Sequence, residues 1–135
     1  MPTRGIRGAI TVAEDHPEAI IEATQELLQA IRTANPKLQG EDVASAIFTV
    51  TEDISAAFPA RAAHELGWDR VPLMCAREIP VPGSLPGCIR ILIHWNTDLS
   101  QTQIQHVYLK DAVSLRPDLA ASSSKDEIPI NNSLG

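Results

Sequence analysis

The chain has 135 residues, of which 44% are hydrophobic and 21% are charged, and its formal net charge is −6. This length can bury the core of one domain, and the composition is that of an ordinary soluble globular protein. The acidic balance argues against nucleic acid or an anionic membrane surface as the main partner, although a pocket in an acidic protein can still be locally basic.

The sequence indicates neither a metal site nor a membrane segment. Its two cysteines, Cys75 and Cys88, have no paired CxxC spacing, which excludes the usual zinc and disulfide frameworks. The histidines lack ligand spacing, and no P-loop or dinucleotide-binding glycine motif is present, so no cofactor is predicted. The N-terminal residues contain no apolar signal segment and no run reaches the length of a membrane span, so we expect a cytoplasmic protein.

The first predicted element is a strand over residues 3–12. Ile6 and Ile10 fall on one parity of the alternating pattern, and Arg7 falls on the other. Alternate residues of a strand point to opposite faces, and the aliphatic set faces the core. Arg7 is therefore predicted to point away from the core.

A long helix is predicted over residues 15–35, because apolar residues recur at helical spacing. Asp15 is predicted to cap it, and Pro36 ends it. A buried strand over 44–50 and a short helix beginning near Pro59 follow. The apolar stripe of the long helix is predicted to be Ile20, Ile21, Thr24, Leu27, Leu28 and Ile31.

The stretch from residue 71 to residue 96 carries most of the functional information. It reads as two strands joined by a connection rich in proline and glycine, which discourages pairing within a sheet. The first strand has a core-facing set interrupted only by Arg77, and Glu78 falls on the opposite parity. Arg90 falls on the opposite parity in the second strand. The core-facing residues are predicted to be Val71, Leu73, Cys75, Ile79 and Val81 in the first strand and Ile89, Ile91, Ile93 and Trp95 in the second.

The last predicted strand is short. Val107 and Leu109 face the core, which leaves Tyr108 on the other side. Residues 120–135 are polar with weak periodicity. We expect them to form a flexible tail after a single domain of residues 1–119.

The four strands, read independently, each leave one functional side chain on the face that points away from the core. These side chains are Arg7, Glu78, Arg90 and Tyr108. The plainer explanation for any one of them is a solvated sheet face. The same face also carries apolar residues, which indicates contact with another subunit and a pocket at its edge. The residues alone therefore predict an anion-binding site on one sheet face.

Several motifs together resemble one protein family. The segments RGIRGAITV, FPARAAHELGW, VPLMCAREI, CIRILI and HVYLKDAVSLRPDL occur in this order over about residues 3–119. In these motifs the chain resembles the small monofunctional chorismate mutases. The resemblance implies an α+β, two-layer subunit whose mixed, mainly antiparallel five-stranded sheet packs on helices and trimerises around a barrel-like core. It also implies conversion of chorismate to prephenate, without a cofactor, on the route to phenylalanine and tyrosine.

The resemblance further implies roles for the polar residues. Arg7, Arg90 and Tyr108 would surround the enolpyruvyl carboxylate and the ether oxygen of chorismate. Glu78, with the backbone near Cys75, would hold the ring hydroxyl. The sites would lie at the three interfaces of a homotrimer.

The rest of the pocket is implied in the same way. Arg61 and Arg116 would lie near the ring carboxylate. The sequence departs from the family at His64, where an arginine over the mouth of the site is typical, and at Arg61, where a lysine is common. An imidazole is charged only part of the time near neutral pH, which weakens the positive charge there. The apolar lining would be Phe58, Ala60, Leu73, Met74 and Leu115.

Two other functions stay open on the sequence. A small trimeric enamine/imine deaminase has a similar size and also uses an arginine for a carboxylate at an interface, but it consumes water and releases ammonia. A non-catalytic carboxylate-binding trimer would bind chorismate without converting it. Ammonia released from an imino acid would identify the first, and binding without loss of chorismate absorbance would identify the second.

Overall fold

The computed structural model describes residues 1–115. Its elements are β1 (Thr3–Thr11), α1 (Pro17–Ala34), β2 (Val43–Val50), α2 (Ala60–Glu65), β3 (Leu73–Arg77), β4 (Cys88–Asn96) and β5 (Val107–Tyr108). Short 3₁₀ turns lie at Gly40–Asp42, Gln101–Gln103 and Lys110–Leu115. The site residue Arg116 and the expected tail over 120–135 lie outside the described residues.

The five strands form one sheet in the order β3-β2-β4-β1-β5. The central strand β4 runs antiparallel to both of its neighbours, β2 and β1, whereas β3 and β5 pair in parallel at the two edges. The β1–β4 ladder is the longest and runs from the pair Thr3 and Asn96 to the pair Thr11 and Cys88. The predicted mixed, mainly antiparallel five-stranded sheet is confirmed.

The main core lies between one face of this sheet and the helix α1. The predicted stripe of α1 is buried throughout, and so are the aliphatic sets of β1 and β4. Gly8 lets the two layers approach closely, because a Cβ atom at that position would lie 2.8 Å from Cδ1 of Ile31. The opposite face of the sheet, which we call the far face, is where the candidate functional residues lie.

The start of β4 is held by backbone contacts. Gly87 adopts a φ of 59°, and a Cβ atom there would lie 2.5 Å from the carbonyl oxygen of Val12. Its carbonyl oxygen accepts a hydrogen bond from the N–H of Val12 at 2.8 Å, and its own N–H donates to Oδ2 of Asp53 at 2.8 Å. These contacts fix the chain three residues before Arg90.

The predicted cap of α1 is wrong. Because a proline occupies the first helical position, His16 is the N-cap, and its Nδ1 accepts a backbone hydrogen bond from the first turn at 3.2 Å. Asp15 instead accepts hydrogen bonds from the backbone N–H groups of Ser55 and Ala56, each at 2.9 Å. These bonds hold the pKa of Asp15 below its ordinary value.

The predicted extension of the first strand of the functional stretch is also wrong. β3 ends at Arg77, and the backbone N–H of Glu78 makes one more hydrogen bond to β2 at 2.8 Å. Ile79 and Val81, predicted to face the core, are 79% and 57% exposed. The prolines on both sides of Val81 supply no N–H for a sheet ladder, so the chain leaves the sheet there.

Candidate active site

A row of side chains crosses the far face through the middle of the sheet. Arg90 of β4 is paired with Ala9 of β1 on one side and with Thr49 of β2 on the other. Ala9 is also paired with Tyr108 of β5. Paired residues in a sheet point to the same face, so these four residues form one line across four strands. The structure thus places Arg90 and Tyr108 on a common face, as their parity indicated.

Glu78 and Arg90 form a two-point ion pair. Nε of Arg90 donates to Oε2 of Glu78 at 2.9 Å, and Nη2 donates to Oε1 at 2.5 Å. The side chain of Arg90 is 22% exposed and that of Glu78 is 14% exposed. The hydroxyl of Thr49 also donates to Oε2 of Glu78. Charge-assisted, two-point pairing fixes the plane of the guanidinium, and Nη1 of Arg90 takes no part in the pair.

Arg7 lies on the same face, one side-chain repeat along β1 from Ala9. Two residues of a strand span about 7 Å, which sets the separation between Arg7 and the Arg90 row along the strand. Arg7 is half-buried, and its backbone N–H donates to Nδ1 of His106 at 3.0 Å. Because Nδ1 accepts this bond, the His106 ring carries a proton on Nε2 when it is neutral. Two guanidinium groups, those of Arg7 and Arg90, therefore share one face of an acidic protein.

A small apolar cluster lies below the ion pair. Its buried members are Ala9, Cys88, Tyr108 and Ala112. Leu115, predicted to line the pocket, packs against it. Burial raises the pKa of the Cys88 thiol to about 11, although the Arg90 charge lowers it in part. Cys88 is therefore a protonated, apolar side chain near neutral pH rather than a nucleophile, and its cluster forms the floor of a cleft.

A cleft of about 280 Å³ opens over this floor. It is lined by both members of the ion pair, Glu78 and Arg90, and by Leu115. Its remaining wall comes largely from the connection between β3 and β4. The described part of one chain thus gathers a cation, a carboxylate and an apolar surface around a space of ligand size.

The predicted residues Phe58 and Cys75 line a different cleft, of about 450 Å³, beside the edge strand β3. Phe58 is 74% exposed, whereas the thiol of Cys75 packs against the main core. Burial raises the pKa of Cys75, and a hydrogen bond from the Ala60 backbone partly offsets the shift. Ala60 is thereby tied to β3 rather than to the Glu78–Arg90 cleft.

The other predicted residues on α2 and β3 also lie away from that cleft. Arg61 pairs with Glu65 one turn along α2 at 3.4 Å, and His64 is exposed. Met74 is 66% exposed on the far face. Leu73 packs against the main core, so the structure places its side chain on the other side of the sheet from Met74. The described residues of one chain therefore bring together only part of the predicted site.

Thr49 is the residue that the sequence interpretation missed. The core-facing parity of Ala46, Phe48 and Val50 already placed it on the far face. Its position beside Arg90 depends on the pairing of β2 with β4, which lies between strands far apart in sequence. The alternation along β2 thus indicates the face on which Thr49 lies, and the register between β2 and β4 determines that it lies beside Arg90.

Two further features concern metals and membranes. Among residues 1–115, no group of three or more histidine, cysteine, aspartate or glutamate side chains is arranged to hold a metal ion. In the same part of the chain, no helix has the length and apolar character required to cross a bilayer.

Comparisons with known proteins agree on one family. Residues 3–119 match the family model described as chorismate mutase type I. A chorismate mutase of Thermus thermophilus is 60% identical over 119 residues, which cover 88% of this chain and 98% of the relative. One from Bacillus subtilis is 44% identical over 127 residues, covering 93% and 99%. The solved structure of a chorismate mutase from Clostridium thermocellum superposes with a TM-score of 0.79 at 48% identity, covering 82% of this chain and 97% of that one.

Proposed function

The chain belongs to the chorismate mutase type I family and is a chorismate mutase, and from this premise we propose that its Glu78–Arg90 pair carries the reaction. The enzyme rearranges chorismate to prephenate in the synthesis of aromatic amino acids. The resemblance seen in the sequence motifs is confirmed. The observation that supports the catalytic proposal is the two-point pair in a cleft on the far face.

The rearrangement makes limited demands on a protein. It is a unimolecular [3,3] shift in which a C–O bond breaks while a C–C bond forms, so it needs no nucleophile and no external acid. The protein must hold the substrate in a compact conformer in which the reacting carbons meet. It must also stabilise the negative charge that develops on the ether oxygen as the ring becomes positive.

Arg90 is the group proposed to stabilise the ether oxygen. Its plane is already set by Glu78, so little reorganisation is needed when the oxygen becomes negative. If half a charge develops ~3 Å away at an effective dielectric constant of ~20, the interaction is worth roughly 3 kcal/mol, or about a hundredfold in rate. Nη1, the nitrogen outside the ion pair, is the first donor that we assign to the substrate.

The remaining polar groups bind the ends of the substrate. Chorismate is a dianion, and Arg7 supplies the second guanidinium of the far face for its enolpyruvyl carboxylate. Tyr108 lies across Ala9 from Arg90 and is proposed to contact the same end. Glu78 is proposed to accept the hydrogen bond of the ring hydroxyl, which favours positive charge on the ring.

We propose that the site is completed by a neighbouring copy in a homotrimer. Met74, Ile47 and Leu92 are in register across β3, β2 and β4 on the far face, and Met74 and Leu92 are exposed. A contiguous apolar row of this kind is typical of a contact surface. Phe58, also exposed, would then reach the cleft of the next subunit rather than that of its own. Light scattering with size-exclusion chromatography tests this, and a monomer at micromolar concentration would exclude it.

The same proposal extends to the cellular setting. Both cysteines are free thiols, Cys88 buried and Cys75 partly so, which suits a reducing compartment such as the cytoplasm. An ultraviolet assay of the purified protein with chorismate tests the activity itself. Loss of chorismate absorbance with formation of prephenate is expected, and release of ammonia or binding without turnover would contradict it.

A further inference from the structure

Thr49 joins the carboxylate of Glu78 to the rigid part of the sheet. β2 is hydrogen-bonded to strands on both sides, and Thr49 is paired with Ala76 of β3 and Arg90 of β4. Glu78, in contrast, follows the last residue of β3, at the beginning of a connection without regular structure. The hydroxyl of Thr49 is therefore held by the framework, whereas the carboxylate that it contacts is attached to a less constrained segment.

Among residues 1–115, the carboxylate of Glu78 has three polar contacts, and they do not serve the reaction equally. Two come from Arg90, whose guanidinium is also required by the ether oxygen of the substrate. The third comes from the hydroxyl of Thr49, which donates to Oε2. Because the Thr49 contact does not involve the guanidinium, it holds Oε2 independently of the hydrogen bond that Nη1 of Arg90 is proposed to donate to the ether oxygen.

We propose that Thr49 is a positioning residue for the rearrangement: its hydroxyl holds Oε2 of Glu78 and thereby presents Oε1 to the ring hydroxyl of chorismate. This inference rests on the proposed role of Glu78. The other threonine at this end of β2 cannot substitute for it. The hydroxyl of Thr51 donates to Oδ1 of Asp53 at 2.5 Å and accepts the N–H of Cys88 at 3.0 Å.

The test begins with two single variants. Thr49→Val keeps the shape of the side chain and removes the hydroxyl, so kcat is expected to fall about tenfold with a smaller change in KM, as for loss of one hydrogen bond to a charged group. Thr49→Ser is expected to stay within about twofold of the original enzyme. Ser45→Ala is the matched control, because it removes a hydroxyl bonded to Nδ1 of His94 at 3.0 Å from the same face of the same strand.

The decisive arm is a double-mutant cycle with Glu78→Ala. If Thr49 acts through Glu78, Thr49→Val causes no further loss of kcat in the Glu78→Ala background. An equal loss in both backgrounds would show that Thr49 acts through packing, and would overturn the inference. If Glu78→Ala is slow but Thr49→Val is not, Thr49 alone has been misassigned. If Glu78→Ala turns over normally, the proposed role of Glu78 is wrong, and the role of Thr49 falls with it.

Discussion

Two groups of proposed site residues differ in how completely one chain builds them. The catalytic group, Arg7, Thr49, Glu78, Arg90 and Tyr108, lies on or beside the central strands, and its ion pair is shielded from water. The edge group, Phe58, Arg61, His64 and Met74, lies on α2, β3 and the segment before α2. Its side chains are exposed, and its described ion pair is internal to α2.

The difference separates two requirements of this catalysis. A charge that stabilises a transition state must be oriented before the substrate arrives, and the central strands provide that orientation. Residues that enclose the substrate need only meet it once the site is assembled. We therefore propose that the catalytic group depends on the fold of one chain and that the edge group depends on a second copy.

The largest expected effect comes from removing the charge of the catalytic group. Arg90→Ala is expected to lower kcat by at least about a hundredfold, because the ether oxygen loses its cation. Arg90→Lys is also expected to be slow, since one ammonium cannot reproduce the two-point geometry. Steady-state assays measure both, with Arg32→Ala, an exposed arginine of α1, as the control. Turnover near that of the original enzyme in Arg90→Ala, in a protein of unchanged assembly, would remove Arg90 from the mechanism.

A charge in the edge group is expected to act through assembly. Met74→Asp places a carboxylate in the proposed contact surface, where desolvating an unpaired charge is costly. Activity per subunit is expected to fall at least about tenfold at nanomolar concentration and to recover as the protein concentration rises. Met74→Leu keeps the surface apolar and should behave like the original protein. A monodisperse trimer of Met74→Asp with full activity would contradict the proposed interface.

The buried floor of the catalytic group predicts a dependence of stability on pH. The pKa of Cys88 is raised to about 11 in the folded state, above its ordinary value of 9.0, because burial favours the protonated thiol. The stabilisation of the folded state by this protonated thiol is therefore complete below pH 9 and is lost as the pH rises through 11. The free energy of unfolding is expected to fall by about 1 kcal/mol between pH 9 and pH 10. Denaturant titrations of Cys88→Ala should lack this component, while Cys75→Ala should keep most of it. If the free energy of unfolding of Cys88→Ala falls with pH as steeply as that of the original protein, the thiol is not shielded from solvent in the folded state.

The smallest expected effect concerns His64, in the edge group. If its side chain lies over the mouth of the neighbouring site, the permanent charge of an arginine in its place attracts the dianionic substrate more strongly. We expect His64→Arg to raise kcat/KM about twofold to threefold at low ionic strength, with kcat unchanged and the difference reduced by added salt. Equal kcat/KM values for the two proteins at low ionic strength would show that His64 does not contribute to capture.

The sequence predicted most of the architecture wherever one face of an element is buried. Alternation placed Arg7 and Arg90 on the far face correctly, because the aliphatic sets of β1 and β4 are continuous. It failed after Arg77, where Ile79 and Val81 continue the pattern although the prolines end the pairing. Local patterns do not encode what a hydrophobic side chain meets beyond its own strand.

The contacts within the site were less accessible to sequence reasoning. The direct pair of Glu78 with Arg90 joins residues 12 positions apart in the sequence, and the place of Thr49 beside them depends on the β2–β4 register. Asp15 shows the same limit on a smaller scale, because its partners, the N–H groups of Ser55 and Ala56, come from a distant turn. Long-range register determines these contacts.

The proposal that each site combines the catalytic group of one copy with the edge group of its neighbour can be tested most directly by mixing two inactive variants. Arg90→Ala removes the catalytic cation of the catalytic group. Phe58→Asp, in the edge group, places a carboxylate close to the dianionic substrate. If each site takes one group from each of two neighbouring copies, trimers reassembled at random from equal amounts should together recover about a quarter of the original activity, because that fraction of all interfaces joins two intact groups. Mixed trimers that form but remain no more active than the two variants alone would place the whole site within one chain and contradict the account.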